Sequence, residues 1–200
     1  MDKNGGIDIF KGMGFVSALK DVLFPARCAR CREIIAAGAV CERCYLEMEP
    51  YNFLRCGNCR ARLPAKEKIC HKDWPFVLGA AADYKNETVQ SLVKALKFDY
   101  ITDAAEPLAE LIFQFVQTLP DGIFNNGVIV PIPLHPARMR KRGYNQSELI
   151  AKLFAKKINL GIRTDIIART KSTKPQSELR SQEGRVHNVE NCFAIKNREA

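Results

Sequence analysis

The sequence predicts an α/β protein with a mainly parallel sheet, preceded by a small cysteine-rich module. Cysteine pairs cluster between residues 26 and 75, whereas strand-like apolar runs alternate with amphipathic helical segments from residue 76 onward. The chain of 200 residues suits one domain of about 120–130 residues and a small module. We therefore expect an N-terminal segment at 1–25, the cysteine-rich module at 26–75 and the α/β domain at 76–200.

The cysteines are the most specific pattern in the chain, because six of the eight form Cys-x-x-Cys pairs and a seventh begins a fourth pair. One such pair places two thiolates about 2.3 Å from a zinc ion, and two pairs complete a tetrahedral site. The spacing predicts two zinc ribbons in tandem. The expected ligands are Cys28, Cys31, Cys41 and Cys44 for the first ribbon, and Cys56, Cys59, Cys70 and Asp73 for the second.

The second ribbon has Asp73 where an eighth cysteine would stand, and His71 lies beside Cys70. Carboxylate and imidazole both bind zinc, so Asp73, His71 or an empty second site are all compatible with the sequence. One or two zinc ions are expected. A disulfide framework is the alternative, but the N-terminus lacks the features of a secretory signal, which favours a reducing, cytoplasmic location.

The N-terminal segment carries apolar residues at helical spacing, which predicts an amphipathic helix over 8–23. It ends before Pro25, which cannot continue a helix. No apolar run reaches the roughly 18 residues that a membrane span needs. We expect no membrane span in this chain.

The α/β domain is predicted from alternating periodicities. Apolar runs predict strands at 76–84, 127–132 and 164–168, and helical spacing predicts helices at 87–98, 104–119, 147–160 and 177–189. Strands that alternate with helices form parallel sheets. Ligands of such sheets bind beyond the carboxyl ends of the strands.

A cation-dense segment, 133–147, follows the strand predicted at 127–132 and is expected to be a loop. Arg138, Arg140, Lys141 and Arg142 precede Gly143, which permits a ligand to approach the backbone closely. Residues 138–200 hold 15 Lys+Arg against 6 Asp+Glu, so the net charge of +9 lies entirely in this part of the chain. The segment suits a phosphate-bearing partner, although an exposed basic loop without a ligand has the same composition.

The order of motifs resembles the ComF family, whose members combine zinc ribbons with a phosphoribosyltransferase-type domain tied to DNA uptake in competence. After the ribbons come Leu-Val-Lys-Ala-Leu-Lys-Phe at 92–98, Val-Pro-Ile-Pro at 130–133, Arg-Lys-Arg-Gly-Tyr-Asn-Gln-Ser at 140–147 and Arg-x₆-Gln-x₂-Leu at 169–179. The resemblance implies a type I phosphoribosyltransferase-like fold. The candidate phosphate- or nucleic-acid-binding residues are Lys97, Arg138, Arg140, Lys141, Arg142, Gly143, Tyr144, Asn145, Gln146 and Arg185.

The family pattern also includes an acidic pair and a Thr-Thr-Gly-type loop for phosphoribosyl pyrophosphate, and this sequence has neither. We therefore expect a C-terminally incomplete sheet, leave enzymatic activity uncertain and assign no catalytic residue. The favoured function is a competence protein that binds single-stranded DNA and assists DNA uptake together with other uptake-machinery proteins. A phosphoribosyltransferase that uses phosphoribosyl pyrophosphate and a zinc-ribbon protein-docking module are the alternatives.

Overall fold

The computed structural model describes residues 24–63, 70–71, 76–120, 127–175 and 178–197. The helix predicted over 8–23 and the candidate ligand Asp73 lie outside these residues. The described part combines helices with short two-stranded sheets. The mixture of helices and strands that the sequence predicts is thus confirmed.

The cysteine-rich module contains little regular structure. Helix α1 spans Glu42–Leu46, and strand β1 (Leu54–Cys56) pairs antiparallel with β2 (Val77–Gly79). The buried strand predicted over 76–84 is therefore wrong: β2 has three residues, and Leu78 is exposed. The apolar run continues as alanines that lie beyond the strand, and the Asp83 carboxylate then accepts a hydrogen bond from the backbone N–H of Lys85 in a turn.

Two amphipathic helices form the centre of the molecule. Helix α2 (Glu87–Phe98) has the bounds that the sequence predicts, because Asn86 caps it by accepting from the backbone N–H groups of Thr88 and Val89. A 3₁₀ turn (Thr102–Ala104) leads into helix α3 (Ala105–Gln117). Each helix buries one apolar face, as its periodicity requires.

The cation-dense segment is a helix followed by a second helix, so the prediction of a loop over 133–147 is wrong. Helix α4 spans Pro136–Arg142, and α5 spans Gln146–Ile158. Pro136 occupies the first turn of α4, where its missing N–H is harmless, and Gly143 ends the helix with a φ of 80°. Three of the four cations lie in the last turn of α4, where the helix dipole favours positive charge.

The remaining strands are short. Strand β3 (Val128–Ile129) pairs parallel with β4 (Gly161–Ile162), and β5 (Ile167–Arg169) pairs antiparallel with β6 (Phe193–Ile195), which follows helix α6 (Gln182–His187). Among the described residues β3 and β4 are the one parallel pair, so the mainly parallel sheet that we predicted is not found there. Prolines at 131 and 133 follow β3, and proline cannot extend a hydrogen-bonded ladder.

One hydrophobic core joins the first ribbon to the helices. Leu92 and Leu96 of α2 are buried together with Leu108 of α3, and Ala39 and Met48 of the cysteine-rich module belong to the same cluster. Cys192, predicted to be a small buried residue, is 1% exposed. Among the described residues, no helix combines the length and the apolar character that crossing a bilayer would require.

Candidate metal centres and basic surface

The first candidate metal centre consists of four cysteines whose sulfur atoms all lie within 4.8 Å of one another: Cys28, Cys31, Cys41 and Cys44. The Sγ atoms of Cys31 and Cys41 are 3.6 Å apart. A tetrahedral site with Zn–S bonds of about 2.3 Å has edges of roughly 3.8 Å. The four thiols therefore fit a zinc ion, and all of them are free rather than disulfide-bonded.

The second candidate centre brings together Cys56, Cys59, Cys70 and His71, again within 4.8 Å. The Nδ1 atom of His71 lies 3.4 Å from the Cys56 Sγ and 3.1 Å from the Cys70 Sγ. The Sγ atoms of Cys59 and Cys70 are 3.6 Å apart. Of the ligands that the sequence left open, the described geometry brings His71 to the thiols.

The two centres are built on the same turn, 28 residues apart. In each, an arginine that follows the Cys-x-x-Cys pair has a left-handed backbone, with a φ of 65° at Arg32 and 62° at Arg60. The backbone N–H of Arg32 donates to the Cys28 carbonyl, and that of Arg60 donates to the Cys56 carbonyl, both at 3.0 Å. This shared geometry supports the prediction of two ribbons in tandem.

In each cluster one thiol is electrostatically prepared for a cation and another is not. Burial acts to raise the pKa of the Cys28 thiol, but backbone hydrogen bonds from Cys41, Cys31 and Arg30 outweigh it and lower the pKa to about 6. A hydrogen bond from the Cys70 side chain is the main reason that the pKa of Cys56 is also lowered to about 6. Thiols with such pKa values are largely thiolates at pH 7, which is the form that binds metal.

Cys41 and Cys70 are the thiols that are not prepared in this way. A backbone hydrogen bond from Cys44 acts to lower the pKa of Cys41, but burial and hydrogen bonds with neighbouring thiols outweigh it and raise the pKa to about 12. A hydrogen bond with the Cys56 side chain is the main reason that the pKa of Cys70 is raised to about 12.

The first ribbon is attached to the helices by polar contacts as well as by the core. Arg30 forms ion pairs with Glu47 of the ribbon and with Glu87 at the start of α2. The Asn86 side-chain amide donates to the Glu47 carbonyl at 2.6 Å. The ribbon therefore contacts the N-terminal end of α2 at several points.

The predicted basic residues of α4 divide into two groups. Arg138 donates to the Thr173 carbonyl at 2.5 Å, and Arg142 donates to Oε1 of Gln146 at 2.5 Å. Arg140 and Lys141 are exposed and have no hydrogen bond or ion pair with any other described residue. These two side chains are available to a ligand, whereas Arg138 and Arg142 take part in internal contacts.

The turn between α4 and α5 is held in place by residues that the sequence predicts to bind phosphate or nucleic acid. The Tyr144 hydroxyl donates to the Leu96 carbonyl of α2 at 2.6 Å. Asn145, which is 7% exposed, caps α5 by accepting from the Ser147 N–H and donates to the Ile132 carbonyl at 3.0 Å. Tyr144 and Asn145 thus position the basic residues, and Gly143 supplies the left-handed turn.

Lys97 lies close enough to α4 for its charge to interact with Arg142. Partial burial, followed by the nearby Arg142 charge, lowers the pKa of Lys97. Two cations without an anion between them repel each other. The structure brings together Lys97 and Arg142, which are 45 residues apart in the sequence. An anion bound between these two side chains would reduce the repulsion between them.

The remaining predicted residue, Arg185, lies on α6, where its Nε donates to the Leu179 carbonyl at 3.2 Å. Helix α6 is linked to the segment after β5, because the Asn188 amide donates to the Lys174 carbonyl at 3.0 Å. Arg138 of α4 contacts the same segment at Thr173. Two basic parts of the chain are thus joined through the segment 171–174.

Sequence reasoning gave no role to two exposed aromatic residues at the end of α2, Phe98 and Tyr100. Phe98 is the last residue of the helix predicted at 87–98, and Asp99 and Tyr100 follow it. Its place at the end of the helix, beside a charged residue, was the signal that it lies beyond the core.

Comparison with known proteins supports the resemblance to the ComF family. The chain is 26% identical over 176 residues to Competence protein F of Haemophilus influenzae, an alignment that covers 84% of this chain and 69% of that protein. It is 27% identical over 172 residues to DNA utilization protein YhgH of Salmonella typhimurium, covering 84% and 70%. The YhgH protein of Escherichia coli K12 is 26% identical over 159 residues, covering 78% and 65%. No family model matches the chain, and no solved structure matches it.

Proposed function

We propose that this chain is a zinc-containing, ComF-like protein of DNA uptake or DNA utilization that binds single-stranded DNA on the basic surface formed by α4 and the first turn of α5. The names of its relatives, Competence protein F and DNA utilization protein YhgH, support the role in DNA metabolism. The observation that carries the binding proposal is the pair Arg140 and Lys141, exposed and without an internal partner among the described residues. The net charge of +9 is of the sign that DNA requires.

Zinc has a structural role in this proposal. The first ion would be held by the sulfur atoms of Cys28, Cys31, Cys41 and Cys44, and the second by those of Cys56, Cys59 and Cys70 with the imidazole of His71. Bound to four protein ligands, zinc has no open position for chemistry and contributes folding free energy. The ribbons are too small to bury much apolar surface, so their stability depends on the metal.

The basic surface would bind the phosphate backbone. Arg140 and Lys141 would contact phosphates directly, and Lys97 and Arg142 add positive potential beside them. Each neutralised phosphate of a single strand releases counterions, so log K falls with log salt by about 0.7 per contact. Binding by this surface is therefore expected to be strongly dependent on salt.

The test is fluorescence anisotropy with labelled oligothymidylate at about 50 and about 200 mM salt, using the wild type and Arg140→Ala/Lys141→Ala. We expect the double variant to bind about tenfold more weakly than wild type. The slope of log K against log salt concentration should become smaller in magnitude by about 1.4, which is the contribution of two phosphate contacts. Lys85→Ala/Lys156→Ala is the matched control, because it removes the same charge from two exposed positions away from α4, one in the turn before α2 and one in the last turn of α5. No binding by the wild type, or binding that salt does not weaken, would exclude the proposal.

A phosphoribosyltransferase-like fold with a pyrophosphate-bearing ligand is the second candidate. The pair Lys97 and Arg142 favours it, because the repulsion between these cations would be relieved by a compact anion. We expect pyrophosphate to raise the melting temperature of the wild type and not that of Lys97→Met. Equal shifts in both proteins would remove this candidate and leave the DNA proposal unaffected.

A further inference from the structure

Two aromatic rings stand in solvent at the carboxyl end of α2. The exposed fraction is 64% for Phe98 and 53% for Tyr100. Large aromatic side chains that are this exposed contribute only part of their surface to the fold, and exposed aromatic residues grouped beside cations are a common feature of binding sites. Their location relative to the basic surface therefore matters.

The rings adjoin the basic surface through a fixed contact. The Tyr144 hydroxyl donates to the Leu96 carbonyl at 2.6 Å, which attaches the turn after α4 to the last turn of α2. Tyr144 lies within electrostatic range of both Arg142 and Tyr100. Lys97, directly before Phe98 in the chain, interacts with Arg142. Phe98 and Tyr100 thus lie next to Lys97, at the end of α2 that contacts the turn after α4.

The backbone at Tyr100 is unusual. Its φ is 60°, a left-handed conformation that favours glycine or asparagine and is uncommon for a bulky residue. The next residue, Ile101, donates from its N–H to the Ala95 carbonyl at 3.2 Å and closes the end of α2. Glycine at position 100 would serve this helix end with less strain, so the backbone conformation does not account for a tyrosine here. Strain of this kind is frequent at ligand sites.

We propose that Phe98 and Tyr100 form a stacking platform for the bases of a single-stranded nucleic acid whose phosphates bind Arg140 and Lys141. This inference rests on the proposed function and extends it from the phosphate backbone to the bases. Aromatic side chains bind unpaired bases through their π-faces without regard to sequence. In a duplex the bases are already stacked on one another, so the platform selects single strands.

The charges around the rings agree with this arrangement. Asp99 lies between Phe98 and Tyr100 and is exposed, so phosphates are repelled from the rings themselves. Arg140 and Lys141 lie on α4. Lys97, directly before Phe98, adds positive charge close to Arg142. A strand is thereby oriented with its backbone on Arg140 and Lys141 and its bases over the rings.

The experiment compares an oligothymidylate of about 16 nucleotides with an oligonucleotide of equal length and charge that lacks bases. Wild type is expected to bind the oligothymidylate about tenfold or more tightly than the abasic strand, since stacking of one base is worth about that factor. Phe98→Ala/Tyr100→Ala is expected to bind both strands equally, with the wild-type salt slope. Tyr100→Phe keeps the ring and should keep the preference.

Tyr84→Ala is the matched control, because Tyr84 is also 53% exposed but precedes α2, about 18 Å from the platform along a helix of 12 residues. Melting curves of all variants check that they are folded. If wild type binds both strands equally and in a salt-dependent way, the stacking inference is wrong while the proposed function stands. If wild type binds neither strand, the proposed function itself has failed.

Discussion

At the scale of single residues, Asn145 connects three parts of the chain. Its side chain caps α5 at Ser147 and reaches the Ile132 carbonyl after β3, while it is almost completely buried. We expect Asn145→Ala to lower the free energy of unfolding by about 1–2 kcal/mol, because it removes the cap of α5 and also the hydrogen bond from a buried side chain to the Ile132 carbonyl. Urea unfolding followed by circular dichroism measures the loss.

Ser181→Ala is the comparison for that prediction. Ser181 caps α6 by accepting from the Gly184 N–H, but it is exposed, so water can replace its hydrogen bond. A smaller loss than for Asn145→Ala is expected. Equal losses in the two variants would show that the contact of Asn145 with Ile132 adds nothing.

Lys97 provides a prediction of pH dependence. Burial and the neighbouring Arg142 lower its pKa from the ordinary value of 10.5, so between the two pKa values the unfolded chain binds more protons than the folded one. The contribution of Lys97 to the free energy of unfolding therefore becomes more favourable as the pH increases through that range. We expect Lys97→Met to be more stable than wild type at pH 7, with the difference shrinking as the pH approaches 10.5.

Urea unfolding at a series of pH values checks this prediction. Lys94→Met serves as the control, since Lys94 lies on the same helix and is exposed. A Lys97→Met variant that is less stable than wild type at neutral pH would contradict the proposed repulsion between Lys97 and Arg142.

At the scale of elements, the two ribbons differ in how they are supported. The first contributes Ala39 and Met48 to the central core, whereas no residue of 54–63 belongs to that cluster. We expect His71→Ala to reduce the zinc content from two ions to one per chain and to leave the far-ultraviolet circular dichroism unchanged. Zinc is measured by atomic emission on the purified protein.

The same measurement on Asp73→Ala distinguishes the two ligands that the sequence left open. If Asp73 were the ligand, Asp73→Ala would lose one zinc ion and His71→Ala would lose none. We expect Cys44→Ser to lower the free energy of unfolding more than either of these substitutions, because Cys44 is buried within the ribbon that packs against α2.

Which elements were predictable depended on whether local signals agreed. Helix α2 had both an apolar period and the cap Asn86, and its bounds were predicted correctly. For α4, the cations outweighed signals that were present, namely Pro136 at the first turn and Gly143 after the last. The apolar run at 76–84 predicts a buried strand wrongly, because hydrophobicity alone does not separate a strand from a run of alanines in a bend.

The candidate sites also differ in how far the sequence could predict them. The cysteine clusters were predictable because Cys-x-x-Cys spacing is local and nearly fixes the geometry. The contact of Arg138 with Thr173 spans 35 residues, and that of Tyr144 with Leu96 spans 48. Contacts of this range depend on how helices pack, so the sequence could not reveal which cations are used internally and which remain free.

At the scale of the whole molecule, the shared core makes the first ribbon and the helices one folding unit. We expect removal of zinc by a chelator to lower the midpoint of a single cooperative unfolding transition, monitored by helical circular dichroism. The reason is that Met48 and Ala39 lose their support when the first ribbon unfolds, and Leu92 and Leu96 then lose contacts. A helical transition that chelation does not shift would mean that the ribbon and the helices fold independently.

The short strands have a consequence for how copies of this protein behave together. Val128 in β3 and Ile195 in β6 expose apolar side chains, and Ile132 does so shortly after β3. Each of these strands pairs with a single partner in the part of the chain that the structure describes, so its other edge is open there to a further strand. A charge of +9 keeps copies apart at low ionic strength. As the screening length falls from about 10 Å at 0.1 M salt to about 3 Å at 1 M, that repulsion disappears while the apolar edges stay attractive. Concentrated salt should therefore turn a well-dispersed solution into a self-associating one, and DNA, by neutralising the same charge, should do so at lower salt.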